Sequence, residues 1–249
     1  MKSIRYGAWL LAALLGLGCG KTEKPYFSGS IGATWTYDVY SFRQANEADR
    51  TKTGERTTQN AAEVSIGGRS AILQRNVTGS AVDTTYVHLD GDGNLWRYYR
   101  SPREVLGALT ASIRVTGGFS PSWQPFIRWD AGASGYSFFP SGPYQVQGVL
   151  SGLSFTGTLQ VNSTGRQVGI ETVTVPAGTF RDAAKFVLNA ALQGNLQSPA
   201  GPINVTVPVT ITVWVARGAG IIRQRTDPIT VFTETLAGTI WELRSVSGF

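Results

Sequence analysis

The sequence predicts an all-β fold: a single antiparallel, strongly curved sheet, half-barrel or barrel, of about a dozen strands. Three observations predict it. The chain is rich in glycine, with 30 in 249 residues, and in aromatics at 11%, while charged residues reach only 15%; strands joined by tight turns have this composition. Apolar and polar residues alternate with a period of two in many short segments. After the first twenty residues, no segment keeps a helical period over three turns.

The first strand shows the alternation clearly, because Trp35, Tyr37 and Val39 are separated by polar residues. The sequence DGDGN at 90–94 predicts a hairpin between two further strands. Short connections of this kind require antiparallel neighbours. The remaining predicted strands are 61–66, 70–77, 82–89, 95–99, 144–150, 153–161, 168–175, 183–192, 203–215, 221–226, 230–236 and 239–246.

Residues 101–145 are less regular, and we expect a long excursion packed over one end of the sheet, with a short helix at 103–109. Residues 162–165, Asn-Ser-Thr-Gly, predict a turn. Pro208 lacks an N–H donor, which predicts an edge or a bulge in its strand.

The first residues predict export. Lys2 and Arg5 precede an uncharged apolar stretch at 7–17, which is followed by Gly18 and Cys19. This is the order of a secretory signal peptide, and the apolar stretch is about half the length of a transmembrane helix. The alternatives are an ordinary signal peptide that happens to end at a cysteine and a lipoprotein signal peptide.

The residues Gly16-Leu17-Gly18-Cys19 resemble the bacterial lipobox, although Gly16 stands where that pattern prefers leucine. The resemblance implies lipidation of Cys19, cleavage after Gly18 and further acylation, palmitate included, which would anchor the chain in a membrane. Gly20 in place of aspartate implies, by the same resemblance, the cell outer membrane. The predicted organisation is a signal peptide at 1–18, a lipidated tether at 19–30 and a β-rich domain at 31–249. A weak division near 30–115 and 130–249 stays open.

Three motifs carry a second resemblance, to uncharacterised bacterial envelope lipoproteins with a Gly-x-x-Trp-x-Tyr start and V-P-A-G-x-F and W-x-A-x-G-x-G hairpins. It implies a fold and a location but no activity. Within the second motif, Pro176 suits a type I turn and Gly178 the following position of positive φ. The matching residues are Gly32, Trp35, Tyr37, Val175, Pro176, Ala177, Gly178, Phe180, Trp214, Ala216, Gly218, Gly220, Ile221, Ile222 and Arg223.

No motif predicts a cofactor, a metal site or catalysis. The loop that starts at Asp90 has Leu95 and Ser101 where a calcium-binding EF-hand needs glycine and glutamate. His88 is the only histidine and Cys19 the only cysteine, so thiolate zinc sites are excluded. Four single carboxylates give no acid–base pair by sequence: Glu171, Asp182, Glu234 and Glu242.

The charges favour no nucleic-acid partner. Without Lys2 and Arg5 the chain has 20 basic and 16 acidic residues, and the basic ones do not cluster. Arg223 and Arg225 share one strand face, and Arg97 and Arg100 flank an aromatic patch. These arginines indicate either a solvated sheet face or a shallow site for an anion or a lipid head group. The aromatic residues expected to fill the core are Trp35, Tyr37, Trp96, Trp123, Trp129, Trp214 and Trp241.

The favoured interpretation is a non-enzymatic envelope lipoprotein, whose curved sheet binds an amphiphile, such as a lipid, or another envelope protein. One alternative is a structural or assembly lipoprotein with a filled core and no ligand. The other is an unrecognised hydrolase. An apolar cavity open to solvent would favour the first over the second.

Overall fold

The computed structural model describes residues 25–106, 113–132, 134–150, 153–231 and 234–249. Cys19 and the predicted signal peptide lie outside these residues. The described residues form fifteen strands and one short helix. Their bounds are β1 Thr34–Phe42, β2 Thr51–Ile66, β3 Arg69–Thr78, β4 Ala81–Leu89, β5 Leu95–Tyr99, α1 Arg103–Leu106, β6 Ile113–Gly117, β7 Ser122–Ile127, β8 Tyr144–Leu150, β9 Leu153–Val175, β10 Gly178–Ser198, β11 Gly201–Ala216, β12 Gly220–Thr226, β13 Ile229–Val231, β14 Glu234–Leu236 and β15 Gly238–Ser247.

Thirteen of these strands form one antiparallel sheet in the order β6-β8-β9-β10-β11-β12-β15-β1-β2-β3-β4-β5-β7. The strands β13 and β14 pair separately as a small hairpin. In the described residues β6 and β7 do not pair with each other, so the sheet is open and not a closed barrel. The prediction of an all-β fold with one large curved antiparallel sheet is confirmed.

The sheet curves around a core to which both of its halves contribute. Val87 and Tyr99 from the β4–β5 side belong to the same buried cluster as Phe186 and Leu188 from β10. Between the two sides runs the segment 134–144, which we call the crossing segment. Its buried side chains are Tyr136, Phe138, Phe139 and Tyr144. This segment therefore fills the inside of the curve, whereas the sequence had predicted an excursion over one end.

The predicted turn at 162–165 is wrong, because these residues lie within β9, a continuous strand of 23 residues. Contacts with the crossing segment explain the residue types at these positions. The Ser163 hydroxyl accepts hydrogen bonds from the backbone N–H groups of Phe138 and Phe139 at 3.1 and 3.0 Å. Gly165 pairs with Tyr136 through two backbone hydrogen bonds. A Cβ at Gly165 would lie 2.7 Å from the Tyr136 ring. Ser163 and Gly165, which suggested a turn, therefore bind the crossing segment through hydrogen bonds instead.

Other boundaries also differ from the prediction. The strands β6 and β7 were not predicted, and the predicted strand 230–236 is the β13–β14 hairpin. Pro125 lies within β7, and a proline argues against a strand when only the sequence is known. The proline is tolerated there because β7 pairs in the described sheet only with β5, as an edge strand. The described part of the predicted helix at 103–109 is α1, whose last residue is Leu106. Residues 107–109 lie outside the described residues. Pro208 pairs with Ala191 of β10, in the part of β11 that β12 does not reach, which agrees with an edge position.

A second buried cluster unites the three sequence motifs. Trp35, Val175 and Trp214 all belong to it, although they are far apart in sequence. The Trp35 indole donates to the Ala219 carbonyl at 2.8 Å, and the Tyr37 hydroxyl donates to the Ile221 carbonyl at 3.0 Å. The three motifs therefore form one structural unit.

The hairpin that ends in Pro176 and Ala177 packs onto this unit. The Ala177 backbone N–H donates to the Leu243 carbonyl of β15 at 2.9 Å. Gly178 has a φ of 134°, which confirms the predicted positive φ. The hairpin thus closes the second cluster from the side of β15.

The first described residues already pack against the sheet. The Pro25 carbonyl accepts the Gly218 N–H at 2.8 Å. Asn60, fully buried, donates from its amide to the carbonyls of Ser28 and Ser30. Residues 25–30 are therefore attached to the domain. Among the described residues, none belongs to a helix with the length and apolarity needed to cross a membrane.

Candidate functional site

A small cavity lies on the inner face of the sheet, between the two buried clusters. Its volume is about 100 Å³. Its walls come from β1, β2, β3, β4, β5, β12 and β15, and we call it the arginine pocket. The polar and aromatic residues of its wall include Tyr37, Arg56, Gln74, Arg97, Gln224 and Trp241.

Two arginines reach the pocket from neighbouring parts of the sheet. Arg56 on β2 lies with its guanidinium carbon 4.4 Å from the centre of the Trp241 ring. Arg97 on β5 lies 3.6 Å above the Phe126 ring. Burial lowers the pKa of both arginines. Arginine nevertheless stays charged at neutral pH, so the pocket holds two positive charges.

These charges have little negative charge opposite them. The nearest carboxylate to Arg56 is that of Asp83, at 3.9 Å, and its side chain is 65% exposed. Among the described residues, no salt bridge involves Arg97. None of the residues that line the arginine pocket is acidic. The pocket is therefore an electropositive, partly dehydrated site.

Several polar atoms around the pocket have no hydrogen-bond partner among the described residues. Nε of Arg97 and Oε1 of Gln224 belong to residues of the pocket wall, and the hydroxyl of Tyr99 lies in the adjoining cleft, near enough to the Arg97 guanidinium for that charge to act against the rise in the Tyr99 pKa. Gln224 is only 8% exposed. A buried polar group without a partner costs free energy, so native structures usually satisfy it. Here the orphaned atoms of Arg97 and Gln224 belong to residues that line one cavity.

A hydrogen-bonded row of side chains fixes the wall that β2, β3 and β4 form beside the arginines. The Thr58 hydroxyl donates to Asn76 at 2.8 Å, and the Asn76 amide donates to the Thr85 hydroxyl at 2.9 Å. The Gln74 amide donates to the side-chain oxygen Oδ1 of Asn60 at 3.0 Å. Thr58, Gln74, Asn76 and Thr85 all line the pocket. They are close enough to bond because β2, β3 and β4 pair with one another in sequence order. The wall is polar and preorganised.

The pocket adjoins a second, wider cleft of about 300 Å³. Thr85 and Arg97 line both spaces, so they mark the boundary between them. In the cleft, Arg100 pairs with Glu104 at 3.0 Å. The remaining cleft residues include Asp83, Tyr99 and Arg103.

Burial dominates the ionisation of the tyrosines near the site. It raises the pKa of Tyr37 and of Tyr99 well above the usual range. Both phenols therefore stay protonated at neutral pH. A neutral phenol can donate one hydrogen bond, and the Tyr37 hydroxyl already donates its proton to Ile221.

The arginines singled out from the sequence separate into two groups. Arg223 and Arg225 lie on the side of β12 opposite Ile222 and Gln224, where Glu47, Glu242 and Asp227 pair with them. Arg97 faces the pocket, whereas Arg100 is paired in the cleft. The anion-site hypothesis therefore survives at Arg97. Arg56 was missed, because its charge stands among polar residues of a long strand and nothing in that pattern shows which way it points.

The other candidate residues have structural partners. Asp90 accepts hydrogen bonds from the backbone N–H groups of Asp92 and Asn94 and from the side chains of Asn94 and Trp96. His88 contacts the Ser70 carbonyl through Nδ1 at 2.8 Å. Glu171 pairs with Lys185 and accepts from the Trp214 indole. In the part of the chain that the structure describes, no three His, Cys, Asp or Glu side chains are grouped to hold a metal ion.

The tryptophans are divided between core and walls. Trp35 and Trp214 are buried, each 5% exposed. The other tryptophans are only partly buried: Trp96, Trp123, Trp129 and Trp241. Trp241 lines the arginine pocket, so the expectation that all of them fill the core is only partly right.

Comparison with known proteins supports the fold. No protein-family model matches the chain, and no curated protein matches its sequence. A crystal structure from Parabacteroides distasonis, provisionally named as a lipoprotein, matches with a TM-score of 0.51 and 14% identity over 90% of this chain and 99% of the other. An exported protein of Bacteroides fragilis, described as having a YmcC-like fold, gives a TM-score of 0.47 and 16% identity over the same shares. The first match shows a shared fold at very low sequence identity.

Proposed function

We propose that the chain is a non-enzymatic lipoprotein of the cell envelope, anchored through Cys19, whose sheet binds a polar ligand on its inner face. The observation that carries the binding function is the arginine pocket, where orphaned polar atoms of Arg97 and Gln224 surround one cavity. Proteins leave such atoms unsatisfied at functional sites more readily than elsewhere.

The anchor is supported by the lipobox-like residues before Cys19 and by the place where the chain joins the domain. Pro25 is attached to the β11–β12 turn through Gly218. Five residues lie between Cys19 and Pro25, and the six steps from one to the other span at most about 20 Å when fully extended. A lipid on Cys19 would therefore hold the domain close to the membrane surface, in the outer membrane if the resemblance of Gly20 applies.

The size of the pocket argues against an acyl chain as its ligand. A cavity of about 100 Å³ has room for a few water molecules or one small polar group. The apolar part of the inner face is filled by the crossing segment, whose Phe138 is fully buried. This filled part favours the structural interpretation for that half of the sheet. The polar half favours ligand binding.

Membrane fractionation tests the anchor. We expect wild-type protein, labelled with palmitate in growing bacteria, to remain in the membrane pellet. Cys19→Ser should take up no label and move to the soluble fraction. Gly20→Ser, which keeps the cysteine, serves as the matched control. An unlabelled wild type, with Cys19→Ser still in the membrane pellet, would refute the anchor.

Native mass spectrometry tests ligand binding. The full chain, purified from a bacterial envelope in detergent, should carry a non-covalent ligand of low mass. Gln224→Met should lose most of it, because the amide in the pocket is removed while the side-chain volume is retained. If wild-type protein carries none, and none binds when an envelope extract is added back, the binding function is wrong.

A further inference from the structure

We infer that the arginine pocket binds an oxyanion of the phosphate type, which is either free phosphate or a phosphate group on a larger ligand. This inference rests on the proposed binding function and names the chemistry of its ligand. It follows from the charge, the donors and the size of the pocket.

The described residues supply little counter-charge to the pocket: Arg56 has the exposed carboxylate of Asp83 at 3.9 Å, and no salt bridge of the described residues involves Arg97. Arg56 and Arg97 both lie against aromatic rings, and the pocket wall contains no carboxylate. By contrast, Arg223, a partly buried arginine of the same sheet, contacts both Glu47 and Glu242. Two cations, of which Arg56 has only the exposed carboxylate of Asp83 and Arg97 has no ion pair among the described residues, attract an anion strongly in a partly dehydrated site, because screening by water is weak there.

The groups that face the pocket are mainly donors. Each guanidinium offers several N–H groups in a planar fork, which matches the oxygens of a phosphate. The Gln224 oxygen has no partner among the described residues, and the opposite orientation of the same amide would present its NH₂ group to an anion. The Thr85 hydroxyl lies beside Arg97 at the boundary with the cleft. A neutral ligand such as a sugar would add no counter-charge to Arg97 and none to Arg56 beyond the exposed Asp83.

The size of the two spaces indicates how a larger ligand would lie. The pocket holds one tetrahedral oxyanion, and the cleft beyond Thr85 and Arg97 is about three times larger. The cleft contains both acidic and basic side chains, among them Asp83, Arg100 and Arg103. The rest of such a ligand is therefore polar where it passes Arg97.

Isothermal titration calorimetry of the full chain in detergent micelles tests the inference directly. The probes are inorganic phosphate, glycerol 3-phosphate and the short-chain lipid dihexanoyl phosphatidic acid, with glycerol as the neutral comparison at equal ionic strength. We expect one saturable phosphate site, at least tenfold weaker in Arg97→Met and in Arg56→Met. Tighter binding of glycerol 3-phosphate identifies a soluble phosphate ester, and tighter binding of the lipid identifies a head group.

Arg75→Met is the matched control. Arg75 lies on β3 between Gln74 and Asn76 and is exposed on the opposite face of the sheet, so the substitution removes the same charge outside the pocket. Phosphate binding should be unchanged in this variant. If phosphate binding were weakened equally in Arg75→Met and Arg97→Met, the net charge of the protein and not the pocket would account for the binding, and the inference would be overturned. So would the absence of saturable phosphate binding by folded wild-type protein. If a neutral ligand is nevertheless found by mass spectrometry, the binding function stands and only the oxyanion is wrong.

Discussion

The two halves of the inner face of the sheet differ in how the space inside the curve is occupied. Where β9, β10 and β11 curve inward, the crossing segment fills the space with aromatic side chains, and Phe138 and Phe186 are completely buried. Where β2, β3, β4 and β5 curve inward, threonine, amide and arginine side chains face the interior beside Val87, Leu89 and Leu95, and a cavity remains. Dense apolar packing stabilises a fold, whereas orphaned polar groups destabilise it. The filled half therefore maintains the curve, and the polar half is available for a ligand.

The largest effect is expected in the filled half, from Phe186→Ala. Phe186 is fully buried and makes an edge contact with Trp129, with ring centres 5.0 Å apart. Removing a buried phenyl ring costs about 3–5 kcal/mol of unfolding free energy. Denaturant unfolding measures this loss. A loss below about 1 kcal/mol would show that the packing of the filled half does not hold this core together.

Phe180→Ala is a control for Phe186→Ala, since Phe180 is only partly buried at the edge of the second cluster. Its loss should be smaller, because less of the ring leaves a packed environment. Equal losses at the two positions would contradict the distinction between a filled interior and its margin.

A smaller loss is expected at the hairpin that joins β9 and β10. A Cβ on Gly178 would meet no atom within 4 Å, so a substitution costs only backbone strain at a φ of 134°. Gly178→Val should lower the unfolding free energy by about 1–3 kcal/mol. Gly178→Asn should gain little over valine, because asparagine tolerates left-handed φ near 57°, far from this angle. Ala177→Ser, at an exposed neighbouring position, is the control and should be neutral.

These positions show what the sequence could and could not predict. Strand alternation and turn residues predicted the all-β class, most strands and the positive φ of Gly178, because these features are local. The route of the crossing segment was missed, since Ser163 and Gly165 look like turn residues unless their contacts with residues 136–139 are known. Arg97 was predicted only as one of four arginines at a solvated sheet face or a shallow anion site. The pocket joins Arg56, Arg97 and Gln224 through strand order, which one sequence does not reveal.

The DGDGN hairpin should show an effect of about 1–2 kcal/mol, the scale of lost hydrogen bonds to a charged group. Burial acts to raise the pKa of Asp90, but hydrogen bonds from Trp96, Asn94 and Asp92 outweigh it and lower the pKa. The carboxylate therefore stabilises the fold above its unfolded pKa, and this contribution is lost as the pH falls through the folded value. Asp90→Ala should be less stable than wild type at pH 7, and the difference should shrink under acid. Unfolding curves at several pH values, with and without a chelator, measure it. A difference that appears only with calcium would assign the loop to metal binding.

The unfolding free energy of Arg97→Met tests the central claim most directly, which is that the polar half is kept open for a ligand and does not hold the fold together. Methionine can keep the apolar contact with Phe126 while removing a partly buried charge that has no ion-pair partner among the described residues. Replacing a buried charge by an apolar residue of similar size is often neutral or stabilising. The account expects ligand-free Arg97→Met to be at least as stable as wild type, within about 1 kcal/mol. A loss as large as that of Phe186→Ala would make Arg97 part of the structural core and contradict the account.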